Sequence, residues 1–450
     1  MVDSSLYLVV GLGKTGHSIA RYLQRRNWPF VVFDTRKQPS GLAAFHVEFP
    51  DVDVLTGDFP IVMYDQLTGI ISSPGVPLAA PVMQEAHARG IPVFGDIECL
   101  AREIQAPVIA ITGTNGKSTV TTLVGEMAAS AGLSVAVAGN IGTPVLDMLD
   151  DNAHYDLWVL ELSSFQLDLT DSLAPMAATI LNVTPDHLDR HHDFELYQQA
   201  KQRVYHHASC LLYNRQDPLT EPVMKDVAPD TRVSSYGLNL PVDKTSWGLV
   251  TDAGVTFLAH GDSRLLPVDA LRIKGQHNWS NALAACALAH VAGIKYDCMV
   301  DVLQNFPGLP HRSQWVRTID GVDWINDSKG TNIGATISAI SGIGEGMQGK
   351  IILIAGGQGK GADFSTLRTP VAEYVRSTVL MGEDAQQMAQ ALTDIVPVLR
   401  VSSLDDAVSV ARLEAKPGDV VLLSPACASF DMFRDFNHRG EAFAALVNRL

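Results

Sequence analysis

The chain has 450 residues, of which 46% are hydrophobic and 18% charged, and its formal net charge is −16. That length suits about three domains of roughly 150 residues, and the composition is that of a globular protein with large cores rather than a disordered or fibrous one. An acidic balance without any basic block argues against nucleic acid as a partner, so an anionic ligand must be held by local groups and not by the field of the whole molecule.

The first hundred residues alternate strand and helix. Leu6–Val10 is a continuous apolar run, followed by Gly11-Leu-Gly-Lys-Thr-Gly16 and a helical stretch to Arg26. Phe30–Phe33 predicts a second strand ending at Asp34, and Gly69–Ser72 another, closed by Ser73-Pro74-Gly75. A helix near Ala80–Arg89 and a short strand at Pro92–Phe94 complete a small parallel α/β unit. Gly11, Gly13 and Gly16 satisfy G-x-G-x-x-G between a strand and a helix, with an acid at Asp34 where a ribose contact is expected. Alone, this pattern reads as a dinucleotide site of an oxidoreductase. Nothing downstream is built for hydride transfer, however, and the loop recognises a pyrophosphate rather than a nicotinamide. Arg36 adds a cation for such a ligand.

A connecting helix is expected from Gly95 to Ala106. The second unit opens at Pro107, with strands predicted at Val108–Ile111, Val135–Ala138, Leu157–Glu161 and Ala178–Val183, and helices at Ser118–Ala131 and Leu196–His207. Residues 112–119 read Thr-Gly-Thr-Asn-Gly-Lys-Ser-Thr. A strand, a glycine loop, then Lys and hydroxyls opening a helix turn backbone N–H groups onto phosphate. Gly113, Thr114, Asn115 and Gly116 would form the cradle. Lys117 would reach the outer phosphates, and Ser118 or Thr119 would offer a hydroxyl to Mg²⁺. The spacing is shorter than the usual phosphate loop: position 111 is Ile, and Gly113 stands four residues before Lys117. The chain is therefore expected to bind a nucleoside triphosphate.

Glu161 ends an apolar strand at the same edge, where a carboxylate can hold Mg²⁺. Pro185 breaks the next strand, exposing Asp186 and His187 at that edge. His191, His192, His206 and His207 lack such placement and read as surface residues. From Pro241 to Lys274 short β-like pieces suggest an added antiparallel patch, and Asn278–Ala292 returns to helix. A third unit starts near Gly308, with strands predicted at Asp323–Ile325, Ile351–Ala355, Thr378–Leu380 and Val420–Leu423. A final amphipathic helix follows Asp431, with Phe433, Phe436 and Phe443 near one face. Three consecutive α/β units are expected, Rossmann-like over 1–96, P-loop-like over 97–308 and Rossmann-like over 309–450.

The five cysteines (99, 210, 286, 298 and 427) form no CxxC pair. Their odd number argues against a disulfide framework and for a reducing cytoplasm. No apolar stretch approaches the length of a membrane span, and nothing demands more than a monomer.

Thr112–Thr119, Glu161-Leu-Ser-Ser-Phe-Gln166 and Asn182–Arg190 together resemble the Mur ligases, ATP-dependent enzymes that add amino acids to the peptidoglycan precursor. Asn140-Ile-Gly142, Gly275–Asn281 and Leu309-Pro-His-Arg312 extend the resemblance across the chain. Asn326–Asn332, Gly356–Phe364 and Ser424–Asp431 resemble the members that add D-glutamate to UDP-N-acetylmuramoyl-L-alanine. The resemblance implies ATP and Mg²⁺, with small molecules as the partners. It implies Lys117 on the β/γ-phosphates, Ser118 and Glu161 on one Mg²⁺ and His187 on a second. Lys201 would be carbamylated to become a metal ligand, although its position alone reads as an exposed helix lysine. Asn278 and Asn281 would lie near adenine, with Arg312 and Asp327 on phosphate and ribose. The first-unit loop (Gly13, Lys14, Thr15, Gly16, with Asp34, Thr35, Arg36, Ser73, Pro74 and Gly75) would hold UDP, and Asn140 the muramoyl part. Lys329, Thr331, Lys360, Ser429, Phe430 and Phe436 would form the amino-acid pocket, with Lys117, His187, Lys201 and Lys329 as the catalytic set. Gly330 departs from the family's Ala, and a looser loop is the expected consequence. A folylpolyglutamate-synthase-like ligase shares the chemistry but should lack the first glycine loop with Asp34.

Overall fold

The computed structural model describes residues 6–149, 154–191, 193–224, 227–273, 275–345, 347–359 and 361–450. It is an α/β protein with three sheets in chain order. The first holds β1 (Leu6–Val10), β2 (Phe30–Asp34), β3 (Val54–Thr56), β4 (Leu67–Ser72) and β5 (Val93–Phe94), ordered β3-β2-β1-β4-β5 and wholly parallel. Its strands are apolar on both faces, as a parallel sheet covered by helices requires. Leu8, Val9 and Val10 are fully buried.

The second sheet holds β6 (Val108–Thr112), β7 (Val135–Gly139), β8 (Leu157–Glu161), β9 (Ala177–Ile180), β10 (Cys210–Asn214), β11 (Arg232–Tyr236), β12 (Trp247–Asp252), β13 (Val255–His260) and β14 (Ser263–Pro267). The order is β14-β13-β12-β11-β10-β9-β6-β8-β7. Pairing is parallel from β7 to β12, and β12, β13 and β14 form the antiparallel patch that the sequence predicts. β6 and β8 are buried along their whole length. That places the phosphate loop and Glu161 side by side at one carboxyl edge, with Ile111 paired to Glu161.

The third sheet holds β15 (Gln314–Ile319), β16 (Val322–Asn326), β17 (Ile351–Ala355), β18 (Val375–Leu380), β19 (Val398–Arg400) and β20 (Val420–Leu423), in the order β15-β16-β20-β17-β18-β19. Only β15 runs antiparallel. The C-terminal helix Phe436–Arg449 buries Phe443 fully and Phe436 in part, while Phe433 precedes it. The helix expected over Leu196–His207 is instead Phe194–Gln202 followed by a tight turn, Arg203–Tyr205. The connecting helix is shorter than expected, at Asp96–Ala101. Among the described residues no helix is long and apolar enough to cross a membrane.

Candidate functional site

A central cleft of about 250 Å³ lies between the phosphate loop, the start of the helix Gln276–Val291 and the third unit. Asn115, Gly116, Thr119, Asn278, Asn281, Arg312, Asp327 and Lys329 all line it. Gly116 sits at φ +83° and caps the helix Lys117–Ser130. A Cβ there would stand 2.5 Å from Asn281 Oδ1, and left-handed backbone disfavours L side chains in any case. The glycine therefore lets the loop close against the Asn281 amide. Thr114 Oγ1 hydrogen-bonds the Thr184 carbonyl and the Tyr197 hydroxyl, each at 3.1 Å.

Lys117 Nζ donates to the carbonyls of Gly113 and Thr114 at 2.9 and 2.8 Å. Lys201 Nζ donates to the same Gly113 carbonyl at 2.9 Å and lies 4.5 Å from the Tyr197 ring centroid. Lys201 is 2% exposed, so the surface placement that its position suggests is wrong. The face Tyr197, Ala200 and Lys201 of its helix is buried. Burial, reinforced by the neighbouring Lys117 charge, holds the Lys201 pKa well below that of a free lysine. Burial also lowers that of Lys117, opposed by Glu161.

Glu161 is buried, and its Oε1 accepts from Asn140 Nδ2 at 2.9 Å. Its Oε2 has no hydrogen-bond partner among the described residues. A buried carboxylate oxygen left without a donor suits a cation. Ser118 Oγ instead accepts from Arg312 Nη2 at 2.8 Å, a bond between the second and third units. His187 adopts φ +54°, packs edge-on against Phe165 at 5.1 Å, and has Nε2 3.7 Å from Asp186 Oδ2. Asp186 is not exposed at the edge as expected. Its carboxylate is 11% accessible and takes a hydrogen bond from Asn332 Nδ2 at 3.2 Å. No three His, Cys, Asp or Glu side chains among the described residues form a ready-made metal centre, so a cation here would also draw on the Ser118 hydroxyl and on ligand phosphates.

His191 corrects the surface reading: it is buried, 2.9 Å from Ser164 Oγ through Nε2 and stacked on Phe165 at 5.3 Å. His206 and His207 are exposed, as expected, and His192 lies outside the described residues.

In the third unit Asp327 is buried, accepting from Ser313 N–H at 3.0 Å and from Ser424 Oγ at 2.7 Å. Burial raises its pKa to about 6. Gly330 does not loosen this loop. A Cβ there would lie 2.6 Å from Asp327 Oδ2 and 2.8 Å from Ser424 Oγ, so the missing methyl lets those two groups close on each other. Lys329 Nζ lies 3.9 Å from the Phe436 ring centroid, and burial draws its pKa down to about 8. Thr331 N–H bonds the Lys329 carbonyl, Ser429 is buried and Phe430 is 69% exposed. Lys360 lies outside the described residues.

The first-unit loop lies apart from this cleft. Gly13 and Lys14 are exposed and line a second cleft with Arg21, Pro144 and Asp147. Asp34 is buried and fully engaged, taking Leu12 N–H at 2.8 Å and three N–H groups of Arg36 at 2.7–2.9 Å. Burial pushes its pKa up, but these bonds outweigh it and hold it low. The Arg36 cation is thus oriented by Asp34, while Thr35 is exposed. Ser73 Oγ meets the Gly11 carbonyl, and the carbonyls of Pro74 and Gly75 accept from Arg190 of the second unit. The sequence reading missed this Arg190 clamp, and also the Asn332 contact. The only signal for Asn332 was an Asn standing just before a helical run.

Residues 5–95 match the Mur ligase MurD-like, N-terminal domain, residues 111–289 the Mur ligase middle domain, and residues 311–427 the Mur ligase, glutamate ligase domain. The UDP-N-acetylmuramoylalanine–D-glutamate ligase of Legionella pneumophila (strain Paris) is 65% identical over 449 residues, covering 100% of each chain. The protein of that name from Pseudomonas fluorescens (strain ATCC BAA-477) is 49% identical over 443 residues, covering 98% of each. Among solved structures, the UDP-N-acetylmuramate-alanine ligase of Thermotoga maritima superposes with a TM-score of 0.60 at 16% identity, over 99% of each chain. E. coli FolC, solved with DHPP and ADP, gives 0.60 at 17% identity over 84% of this chain and 99% of its own. These two structures speak to the fold alone.

Proposed function

The chain belongs to the Mur ligase family, and from that membership we infer that it joins D-glutamate to UDP-N-acetylmuramoyl-L-alanine with ATP as the driving substrate. The observation that carries the reading is the convergence on one carboxyl edge of Lys117, Lys201 and Glu161 Oε2, with Arg312 reaching in from the third unit. We assign the UDP-bearing substrate to residues 1–96, ATP to 97–308 and the amino acid to 309–450, in a monomer working in the cytoplasm.

A carboxylate is a poor electrophile, so the γ-phosphoryl group of ATP is first transferred to it. The amine of D-glutamate then displaces phosphate from the acyl phosphate, giving the amide, ADP and phosphate. The chain's task is mainly positioning and charge stabilisation. Lys117 leaves the Gly113 and Thr114 carbonyls to meet the β- and γ-phosphates. Gly113, Thr114, Asn115, Gly116 and Thr119 enclose the phosphates, while Asn278 and Asn281 face the base and Asp327 the ribose. Arg312 adds a fixed cation beside Ser118. Bound Mg²⁺, held by Ser118, Glu161, His187 and a carbamylated Lys201, would screen the triphosphate from the substrate carboxylate. Asn140 fixes Glu161 and faces the muramoyl part. The first-unit loop, with Lys14, Thr15 and Arg36, holds the diphosphate and uridine. Lys329, Thr331, Lys360, Ser429, Phe430 and Phe436 surround D-glutamate. A lysine pKa near 8 leaves Lys329 largely charged at neutral pH, and thus able to pair with one of the two carboxylates.

Phosphate release from ATP, measured with UDP-N-acetylmuramoyl-L-alanine and a panel of D- and L-amino acids, tests the reading. D-Glutamate alone should stimulate it; stimulation by L-amino acids, or by none, would refute the assignment.

A further inference from the structure

Asn332 ends the segment that carries Lys329 and Thr331, and it caps the helix Ile333–Gly344 through Oδ1, which accepts from Ala335 N–H at 2.8 Å. Capping uses only the acceptor half of the amide. The donor half points across to the second unit. Nδ2 lies 3.3 Å from Asn115 Oδ1 of the phosphate loop and 3.2 Å from Asp186 Oδ2, the residue before His187.

A second observation marks the same approach. At Gly334, two residues on, a Cβ would stand 3.1 Å from Thr184 Oγ1 and 3.6 Å from Asn115 Nδ2. Thr184 is itself bound to the phosphate loop, its N–H donating to Thr114 Oγ1 at 3.0 Å. The first turn of this helix is therefore seated on the loop and on the His187 segment together. The residue type is specific to the task. Asp and Ser cap helices about as well as Asn, and Thr somewhat less well, but Ser and Thr are too short to bridge, and Asp would bring a second carboxylate against Asp186.

We propose that Asn332 is a positioning residue that registers the amino-acid-binding segment of the third unit against the phosphate loop and Asp186, so that the incoming amine meets the acyl phosphate in line. It rests on the function proposed above. The amide does not touch the reacting atoms. It holds Lys329 and Thr331, one to three residues away, at a fixed offset from Asn115 and His187.

Two substitutions that retain the cap separate this role from a structural one. Asn332→Asp and Asn332→Ser are each assayed for thermal unfolding, for amide formation, and for acyl phosphate trapped by hydroxylamine in the absence of D-glutamate. Both variants should melt as the unsubstituted protein does and trap acyl phosphate within about threefold of it. Amide formation should fall about 30-fold or more in Asn332→Asp, with a raised KM for D-glutamate and an unchanged KM for the UDP substrate, because small misplacement of a nucleophile costs on the order of a hundredfold. Asn332→Ser should lie between. Amide formation within a factor of two of the unsubstituted protein in both variants would overturn the proposal, as would equal losses in trapping and amide formation. An unsubstituted protein that traps no acyl phosphate and forms no amide would instead overturn the function on which it rests.

Discussion

Two lysine nitrogens on one carbonyl oxygen are the most telling feature at the residue scale. Lys117 and Lys201 both donate to Gly113 O, and burial next to a like charge favours a neutral amine at Lys201. A neutral amine is the form that reacts with CO₂, and the resulting carbamate would face Lys117 as an anion, turning repulsion into attraction. Lys201→Ala should therefore lose at least about a hundredfold in turnover, and short carboxylates such as acetate should restore part of it; full activity without them would remove Lys201 from the site. The role of this lysine was not legible from its own residue type. The signal lay in its neighbours, since Tyr197, Ala200 and Lys201 share one helix face. A half-buried base at the rim of the central cleft gives a pH prediction. The His277 ring lies 3.0 Å from the Cβ position of Gly275 and 2.9 Å from that of Gly342, and burial lowers its pKa from 6.5 to about 4. The unfolded chain thus binds a proton that the folded one refuses. Stability contributed by this group is complete above pH 6.5 and is lost as pH falls toward 4, by at most about 1.4 kcal/mol per unit. Urea unfolding between pH 4.5 and 7.5 should show His277→Gln with a shallower acid loss than the unsubstituted protein; parallel curves would refute this.

At the scale of elements, the site depends on how closely β7 and β8 end together. Gly139 closes β7 at φ +102°, and a Cβ there would lie 2.1 Å from the Glu161 carbonyl oxygen. Asn140 N–H bonds that same carbonyl at 2.8 Å while its side chain holds the Glu161 carboxylate. Gly139→Ala must therefore push Glu161 away as well as strain the backbone by about 1–2 kcal/mol. Gly132→Ala bears similar strain at φ +86° with open space around it. Both should lower the melting temperature, but only Gly139→Ala should lose turnover, by about a hundredfold. Equal activities would separate Glu161 from the chemistry. Elements of this kind were readable because a strand buried on both faces is a continuous apolar run: Val108–Ile111, Leu157–Leu160 and Ile351–Ala355 announce themselves. Strands at the margins do not. Arg232–Tyr236 and Gln314–Ile319 carry exposed polar residues, and the three-residue strands Val54–Thr56 and Val398–Arg400 fall below any periodicity. Pairing with a neighbouring strand makes them, and pairing is a tertiary fact.

Across the whole molecule, motif residues far apart in sequence meet through bonds that no local pattern encodes. Arg21 grips Asp147 through two bonds at 2.6–2.8 Å and Arg190 holds the Pro74–Val76 carbonyls, joining the first and second units. Arg312 and Asn332 join the second and third. Arg312 matters most for ligand-linked stability. Its guanidinium is planar and forked, reaching Ser118 from the third unit while facing the cleft that also holds Asn278 and Asp327. Lysine would keep the charge but lose the fork and the geometry. ATP bound at this seam would tie the two units, so it should stabilise the chain by RT ln(1 + [ATP]/Kd), about 2.7 kcal/mol at a hundredfold excess over Kd. Arg312→Lys should weaken ATP binding at least tenfold, and at the same ATP concentration the stabilisation should shrink by about 1.4 kcal/mol. Differential scanning fluorimetry across an ATP titration reads both quantities at once. If the variant's melting point rose with ATP along the same curve as the unsubstituted protein's, nucleotide would be held by the second unit alone, and the third unit would join the site only when the amino acid arrives.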